Sequence, residues 1–176
     1  LSANLNSDSS SRRLPQVVWS AVALTSLGIV GLIILAPVAQ ARGQAQFAAS
    51  IYTAFSYACH QIPERSFHLA GNKFAVCSRC TGLYAGFAIA VLAYPLARSL
   101  KETTTPSIFW LFLAALPLAV DFSLGYFNIW ANTHASRFGT AALFSATTVF
   151  YILPGLIDIG GRLFGKAAGK APHLAG

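Results

Sequence analysis

Four long apolar runs, separated by short polar stretches, dominate the chain. The first, VVWSAVALTSLGIVGLIILAPVA (residues 17–39), contains no charged residue. About 20 apolar residues suffice for a helix to cross the hydrocarbon core of a bilayer, so this run predicts a spanning helix. The second run, FAVCSRCTGLYAGFAIAVLAYPLA (74–97), is closed by Arg98, Lys101 and Glu102. The third, PSIFWLFLAALPLAVDFSLGYF (106–127), opens on Pro106, which suits a first helical turn. The fourth, RFGTAALFSATTVFYILPGLIDI (137–159), follows the polar link NIWANTHAS. Between the first and second runs, QFAASIYTAFSYA (46–58) carries Phe47, Ile51, Phe55 and Ala58 at helical spacing. That predicts a short amphipathic helix, lying at the membrane interface or packed as an ordinary helix.

The pattern therefore predicts an all-α fold: an integral membrane bundle of four transmembrane helices, with a short interfacial helix between the first and second. The bundle occupies residues 16–160. A polar, Ser-rich disordered tail (1–15) precedes it, and a basic, Gly-rich tail (161–176) follows. The first run also admits a signal-peptide reading, with Arg12 and Arg13 before it and Ala39-Gln40-Ala41 as the cleavage site. Its length favours a retained anchor.

Composition agrees with the pattern. Of 176 residues, 55% are hydrophobic and only 10% charged, against roughly 25% charged in a soluble domain. The mean hydropathy is +0.59. A net charge of +7 raises the question of nucleic acid. The basic residues, however, stand in ones and twos beside the apolar runs and form no stripe, so nucleic-acid binding is excluded. Their distribution instead reads as topology. Arg12, Arg13, Arg98, Lys101, Arg162, Lys166 and Lys170 fall on one side of the membrane; Arg42, Arg65, Lys73, Arg79 and Arg137 fall on the other. Seven against five places both termini in the cytoplasm and the loop carrying 40–73 outside.

The unusual chemistry gathers at that outer end. Cys59 ends the interfacial segment, and Cys77 and Cys80 lie at the start of the second span. An up-down-up-down path brings Asp121, His134 and Arg137 to the same end. Residues three apart share a helical face, so both sulfurs of Cys77-x-x-Cys80 can reach one ion or each other. The helix N-terminus and Arg79 favour thiolate. With Cys59 and one imidazole they would complete a tetrahedral zinc site. The leading ligand set is Cys59, His60, Cys77 and Cys80, with His68 or His134 as the alternative imidazole. Three other readings of the cysteines stay open: a redox-active Cys77–Cys80 disulfide, a structural bridge from Cys59 to either, and inert packing.

Asp121 is the other outlier, since an ionisable residue in an apolar span is costly and faces a partner or cavity. Pro117, four residues earlier, frees a carbonyl nearby. Arg137, at matching depth on the next helix, is the expected partner. The pair either fixes helix register or supplies a catalytic carboxylate, with Asp121 and Arg137 as the candidate catalytic residues. Thr81 and Tyr84 follow the cysteines toward the same pocket. Gly82 and Gly86 form a GxxxG step for close helix packing. Asp158 and Arg162 form an i,i+4 pair at the opposite end. His173 lies in the basic tail.

Two stretches carry a family resemblance: Cys59-His60-Gln61-Ile62-Pro63-Glu64-Arg65-Ser66-Phe67, and Ala75-Val76-Cys77-Ser78-Arg79-Cys80-Thr81-Gly82-Leu83-Tyr84-Ala85-Gly86. They resemble a bacterial and archaeal membrane-protein family catalogued as domain of unknown function 2085, with its CHQ-P-RSF and C-RCTG-Y-G stretches. The family's later intramembrane Asp and Arg-x-x-Gly step look like Asp121 and Arg137-Phe138-Gly139-Thr140. The resemblance covers roughly residues 55–157. It implies a membrane location and a shared Cys/His site, and no activity.

Three functional classes follow. The leading one is a membrane-embedded zinc site, structural or water-activating. The second is a thiol-disulfide oxidoreductase, linked to a quinone, acting through Cys77 and Cys80. The third is a non-enzymatic accessory subunit of a larger membrane complex. The bilayer is the expected partner, with a homo-oligomer or larger complex possible. No phosphate-binding loop and no nucleophile elbow occur in the sequence.

Overall fold

In the computed structural model the backbone is described for residues 2–168 and the side chains for 13–162. Most of both expected tails, and His173, lie outside the residues whose side chains are described. The described chain forms five helices and one small hairpin: α1 (Ser2–Ala41), α2 (Ala45–Ser56), β1 (His68–Leu69), β2 (Asn72–Lys73), α3 (Ser78–Ala97), α4 (Ile108–Tyr126) and α5 (His134–Ala168). Four stretches are long and apolar enough to cross a bilayer: Arg13–Ala41, Ser78–Ala97, Ile108–Tyr126 and His134–Arg162. A helix is required there because lipid offers no partner for a free backbone amide or carbonyl. The protein is a multi-pass membrane bundle. Trp110, at the start of α4, and Trp130, just past its end, are both exposed, as expected of rings that sit at the two membrane–water boundaries.

The turn from α1 into α2 is a Schellman motif. Gly43 adopts φ 74°. The Gln44 amide donates to the Ala39 carbonyl (3.0 Å) and the Gly43 amide to the Gln40 carbonyl (3.1 Å). This folds α2 back against α1. Ala48 and Ile51 are buried on one face of α2, with Ile51 packed against Ala36 and Ala75. Phe47, on another face, is exposed. α2 is thus the short non-spanning helix expected between the first two spans.

α3 is the centre of the bundle, flanked by α1 and α5. It has no single apolar face, because the surface it does not bury against protein meets lipid rather than water. Val91 and Tyr94 pack with Val149, Leu153 and Ile157 of α5 and Ala23 of α1. Among the described residues, three hydrogen bonds from side chains to backbone carbonyls join helices. Trp19 Nε1 donates to the Val91 carbonyl (2.7 Å), Ser145 Oγ to the Leu83 carbonyl (2.5 Å) and Tyr151 Oη to the Ser107 carbonyl (2.8 Å). Such bonds and small residues drive association where lipid removes the hydrophobic difference between partners.

The GxxxG step is where α3 and α5 meet most closely. A Cβ added at Gly82 would collide with the Phe138 carbonyl, and one at Gly86 would lie 2.5 Å from the Ala142 carbonyl oxygen. Both obstacles are backbone, which cannot rotate away. Gly139 and Gly155 have nothing within 4 Å of an added Cβ. Overpacking of this kind costs about 1–3 kcal/mol or more. Gly86→Ala is therefore expected to lower the thermal midpoint in detergent clearly, while Gly155→Ala leaves it nearly unchanged. Equal midpoints for the two variants would contradict the close crossing.

Candidate functional site

The segment between α2 and α3 is shaped by hydrogen bonds rather than by regular structure. Gln61 adopts φ 51°, a left-handed conformation that costs a non-glycine residue about 1–2 kcal/mol. Its side chain and carbonyl are tied in compensation. Nε2 donates to the Tyr52 carbonyl (2.6 Å), and the Gln61 carbonyl accepts from Lys73 Nζ (2.7 Å). The bend turns the Gln61 amide toward Cys59 Sγ, at 3.5 Å. A 3-10 turn at Pro63–Arg65 follows, and Ser66, fully buried, closes it with Oγ on the Ile62 carbonyl (2.8 Å). The hairpin β1–β2 pairs His68 with Lys73 and Leu69 with Asn72. Its two turn residues, Ala70 and Gly71, both have positive φ, 52° and 77°, as a type I′ turn requires. The strand exit then lays Ala75 and Val76, both buried, against α1 and delivers Cys77 to the head of α3.

Cys59, Cys77 and Cys80 come together there. Their sulfurs all lie within 4.8 Å of one another, and all three are free thiols. Cys77 is the N-cap of α3, so the helix starts four residues later than the apolar run did. Cys77 Sγ and Cys80 Sγ are 3.5 Å apart. The Cys77 amide donates to Cys59 Sγ at 3.3 Å. With the Gln61 amide, that gives Cys59 Sγ two backbone donors. Cys77 lies just outside the span. Its thiol is pulled down to about 5, chiefly because Cys80 offers a hydrogen bond to its sulfur, with Cys59 helping and burial opposing. Ile29, Ile33, Val76 and Tyr84 wall the cluster in apolar surface.

The cluster opens on a cavity of about 360 Å³ whose wall includes His60, Arg65, Arg79 and Arg137. Among the described residues no imidazole or carboxylate joins the three sulfurs within 4.8 Å. His60 is exposed on the cavity wall that Cys59 also lines. His68 is exposed on β1. His134 is exposed at the start of α5, its ring 5.5 Å from that of Phe67. Thr81 Oγ1 donates to the Cys77 carbonyl (3.1 Å). Tyr84 lines a separate apolar cavity between α1, α3 and α5.

Asp121 is buried and pairs with Arg79, whose Nη2 lies 2.5 Å from Oδ2. The expected partner was Arg137, and the structure corrects this. Successive helical residues are rotated by roughly 100°, so Arg79, one residue before Cys80, leaves α3 in a different direction and reaches α4. Arg137 makes no ion pair among the described residues and faces the cavity instead. The Arg79 guanidinium also stacks over Phe122, 5.4 Å from the ring centroid. Asn132, in the link before α5, donates through Nδ2 to the Asp121 carbonyl and fixes the end of α4. Asn132, Gln61 and Ser78 had no signal of their own in the sequence. At the far end, Asp158 and Arg162 form the expected pair, at 2.9 Å.

The comparisons with known proteins agree with this architecture. Residues 59–151 match the family described as a predicted membrane protein, DUF2085, and the chain belongs to that family. An uncharacterized protein of Methanocaldococcus jannaschii is 38% identical over 104 residues, covering 59% of this chain and 67% of its own. An uncharacterized protein of Methanothermobacter thermautotrophicus is 35% identical over 86 residues, covering 49% of this chain and 76% of its own. No solved structure matches the chain.

Removing one partner of a buried ion pair leaves an uncompensated charge and costs about 3–5 kcal/mol. Asp121→Asn is expected to cost toward the lower end of that range, because Arg79 keeps 25% exposure. Arg137→Gln is expected to change the thermal midpoint far less. A larger loss in Arg137→Gln than in Asp121→Asn would contradict the pairing.

Proposed function

We propose that Cys59, Cys77 and Cys80 together hold one zinc ion, whose fourth coordination position opens on the arginine-lined cavity. The convergence of the three sulfurs carries this reading. Cys59 comes from the segment after α2 and the others from the head of α3, and the three meet within 4.8 Å. Zinc–thiolate bonds of about 2.3 Å in a tetrahedron set sulfurs about 3.8 Å apart, close to the 3.5 Å between Cys77 and Cys80. Soft thiolates select zinc over the hard cations. Two amide donors to Cys59 and an apolar wall supply the surroundings such a centre needs.

An open position distinguishes a reactive site from a structural one. Bound zinc would supply Lewis acidity to whatever the cavity admits. His60, on the wall, is the side chain placed to accept a proton there. Asp121 neutralises Arg79 and so positions the head of α3, rather than acting as a base. The distribution of Lys and Arg supports an extracytoplasmic site with both termini in the cytoplasm.

A second reading has its own support: Cys77 at an N-cap with its sulfur 3.5 Å from Cys80 is also the arrangement of a redox-active thiol pair.

Elemental analysis of the protein purified in detergent is expected to give one zinc per chain. Cys77→Ser and Cys59→Ser are expected to lose it, and His60→Ala to retain it. Zinc unchanged in Cys77→Ser would remove the assignment; zinc lost in His60→Ala would mean a closed, structural tetrahedron. Thiol trapping that finds reversible Cys77–Cys80 oxidation in metal-free protein would favour the redox reading.

A further inference from the structure

The cavity beside the cysteines carries more positive charge than the single negative charge of a zinc ion with three thiolates would balance. Three guanidinium groups reach its wall from three separate elements: Arg65 from the 3-10 turn, Arg79 from the first turn of α3 and Arg137 from the first turn of α5. Among the described residues no carboxylate lines it. Asp121 answers only part of Arg79, whose Nε is buried with no hydrogen-bond partner. The side chains of Arg65 and Arg137 make no hydrogen bond among the described residues, and Arg137 feels the positive charges of Arg65 and Arg79, opposed in part by Asp121 and Cys77. Like charges crowd together in this way at a cost, unless an anion sits between them.

A second observation is independent of the arginines. Ser78, the first residue of α3, is 0% exposed and lines the same cavity. Its hydroxyl has no hydrogen-bond partner. A buried hydroxyl without a partner costs about 1–3 kcal/mol, so an orphan donor beside three guanidiniums points to a missing acceptor. The helix adds to this. α3 runs for 20 residues and begins at the cavity wall, so the positive end of its dipole lies there.

We infer that this cavity binds a phosphate-bearing anion, held by Arg65, Arg79 and Arg137 and by the Ser78 hydroxyl at the head of α3. Tetrahedral phosphate oxygens accept from several donors at once, and guanidinium matches them in pairs. Leu83 lines both this cavity and the apolar one between α1, α3 and α5, so apolar surface lies near the bound phosphate, and a lipid headgroup and a free phosphate share the chemistry the site would recognise. The site does not rest on zinc, because its donors are nitrogen and hydroxyl groups outside the three sulfurs.

The test uses the full chain in neutral detergent, with native mass spectrometry and thermal midpoints as readouts. The probes are inorganic phosphate, phosphatidic acid and phosphatidylcholine. One phosphatidic acid or one phosphate is expected to bind and raise the midpoint, with phosphatidylcholine inert. Binding of phosphatidic acid alone identifies a lipid headgroup; binding of inorganic phosphate to the same extent identifies a free anion. Arg137→Gln and Ser78→Ala are each expected to weaken binding about 10- to 100-fold. Ser78→Ala removes only an unpaired hydroxyl, so its fold should be intact. Failure of both anions to bind, or equal binding in wild type and both variants, overturns the inference. So does loss of zinc in Arg137→Gln without any anion effect, which would make the arginines mere counter-charges to the thiolates. Anion binding that survives chelation of the metal separates this site from the zinc reading.

Discussion

The ion pair between Arg79 and Asp121 is the interaction on which the site end of the bundle depends. Arg79 stands between the two cysteines of the CxxC step, and its side chain is drawn away from them toward α4. That leaves Cys77 and Cys80 on the flank facing Cys59. The same pair ties α4 to α3, whereas most of the α4 packing is against α5. In an apolar medium neither charge could stand alone, so the pair fixes both the rotation of α3 and the position of α4. The head of α3 then serves two neighbouring places at once: the sulfurs on one flank and an arginine-lined cavity beside them.

The close crossing of α3 and α5 supplies the second constraint. Gly82 and Gly86 let the α5 backbone approach until carbonyls replace side chains as neighbours. Ser145 then reaches the Leu83 carbonyl, and Phe138 packs edge-on against Phe67 of the outer segment. Arg137, one residue before Phe138, is carried to the cavity by this approach. Small residues at mid-span and charged residues at the rim are thus two parts of one arrangement: the first sets how near the helices come, and the second uses that nearness.

Much of this was legible in the sequence. Hydropathy marked all four spans, because lipid demands long unbroken apolar runs. The threading alone brought Cys59, Cys77, Cys80 and Asp121 to one end. Azimuth was not legible. Asp121, Arg79 and Arg137 share a depth, and hydropathy says nothing of which way each points around its helix, so Arg137 was paired where Arg79 belongs. The start of α3 was placed too early because Phe74, Ala75 and Val76 are apolar; they are buried in an extended segment against α1 rather than in the span. Gln61 and Ser78 went unmarked because their roles rest on a positive φ and on an unpaired hydroxyl, and neither leaves a compositional trace. Sequence proximity could not choose among His60, His68 and His134, and among the described residues none of the three joins the sulfurs.

Zinc-edge X-ray absorption on the detergent-purified chain tests directly whether the three cysteines form one metal-binding centre that remains open to the cavity. The expected spectrum has three sulfurs at about 2.3 Å with one lighter atom. A shell made only of nitrogen and oxygen, or one with fewer than three sulfurs, would contradict it.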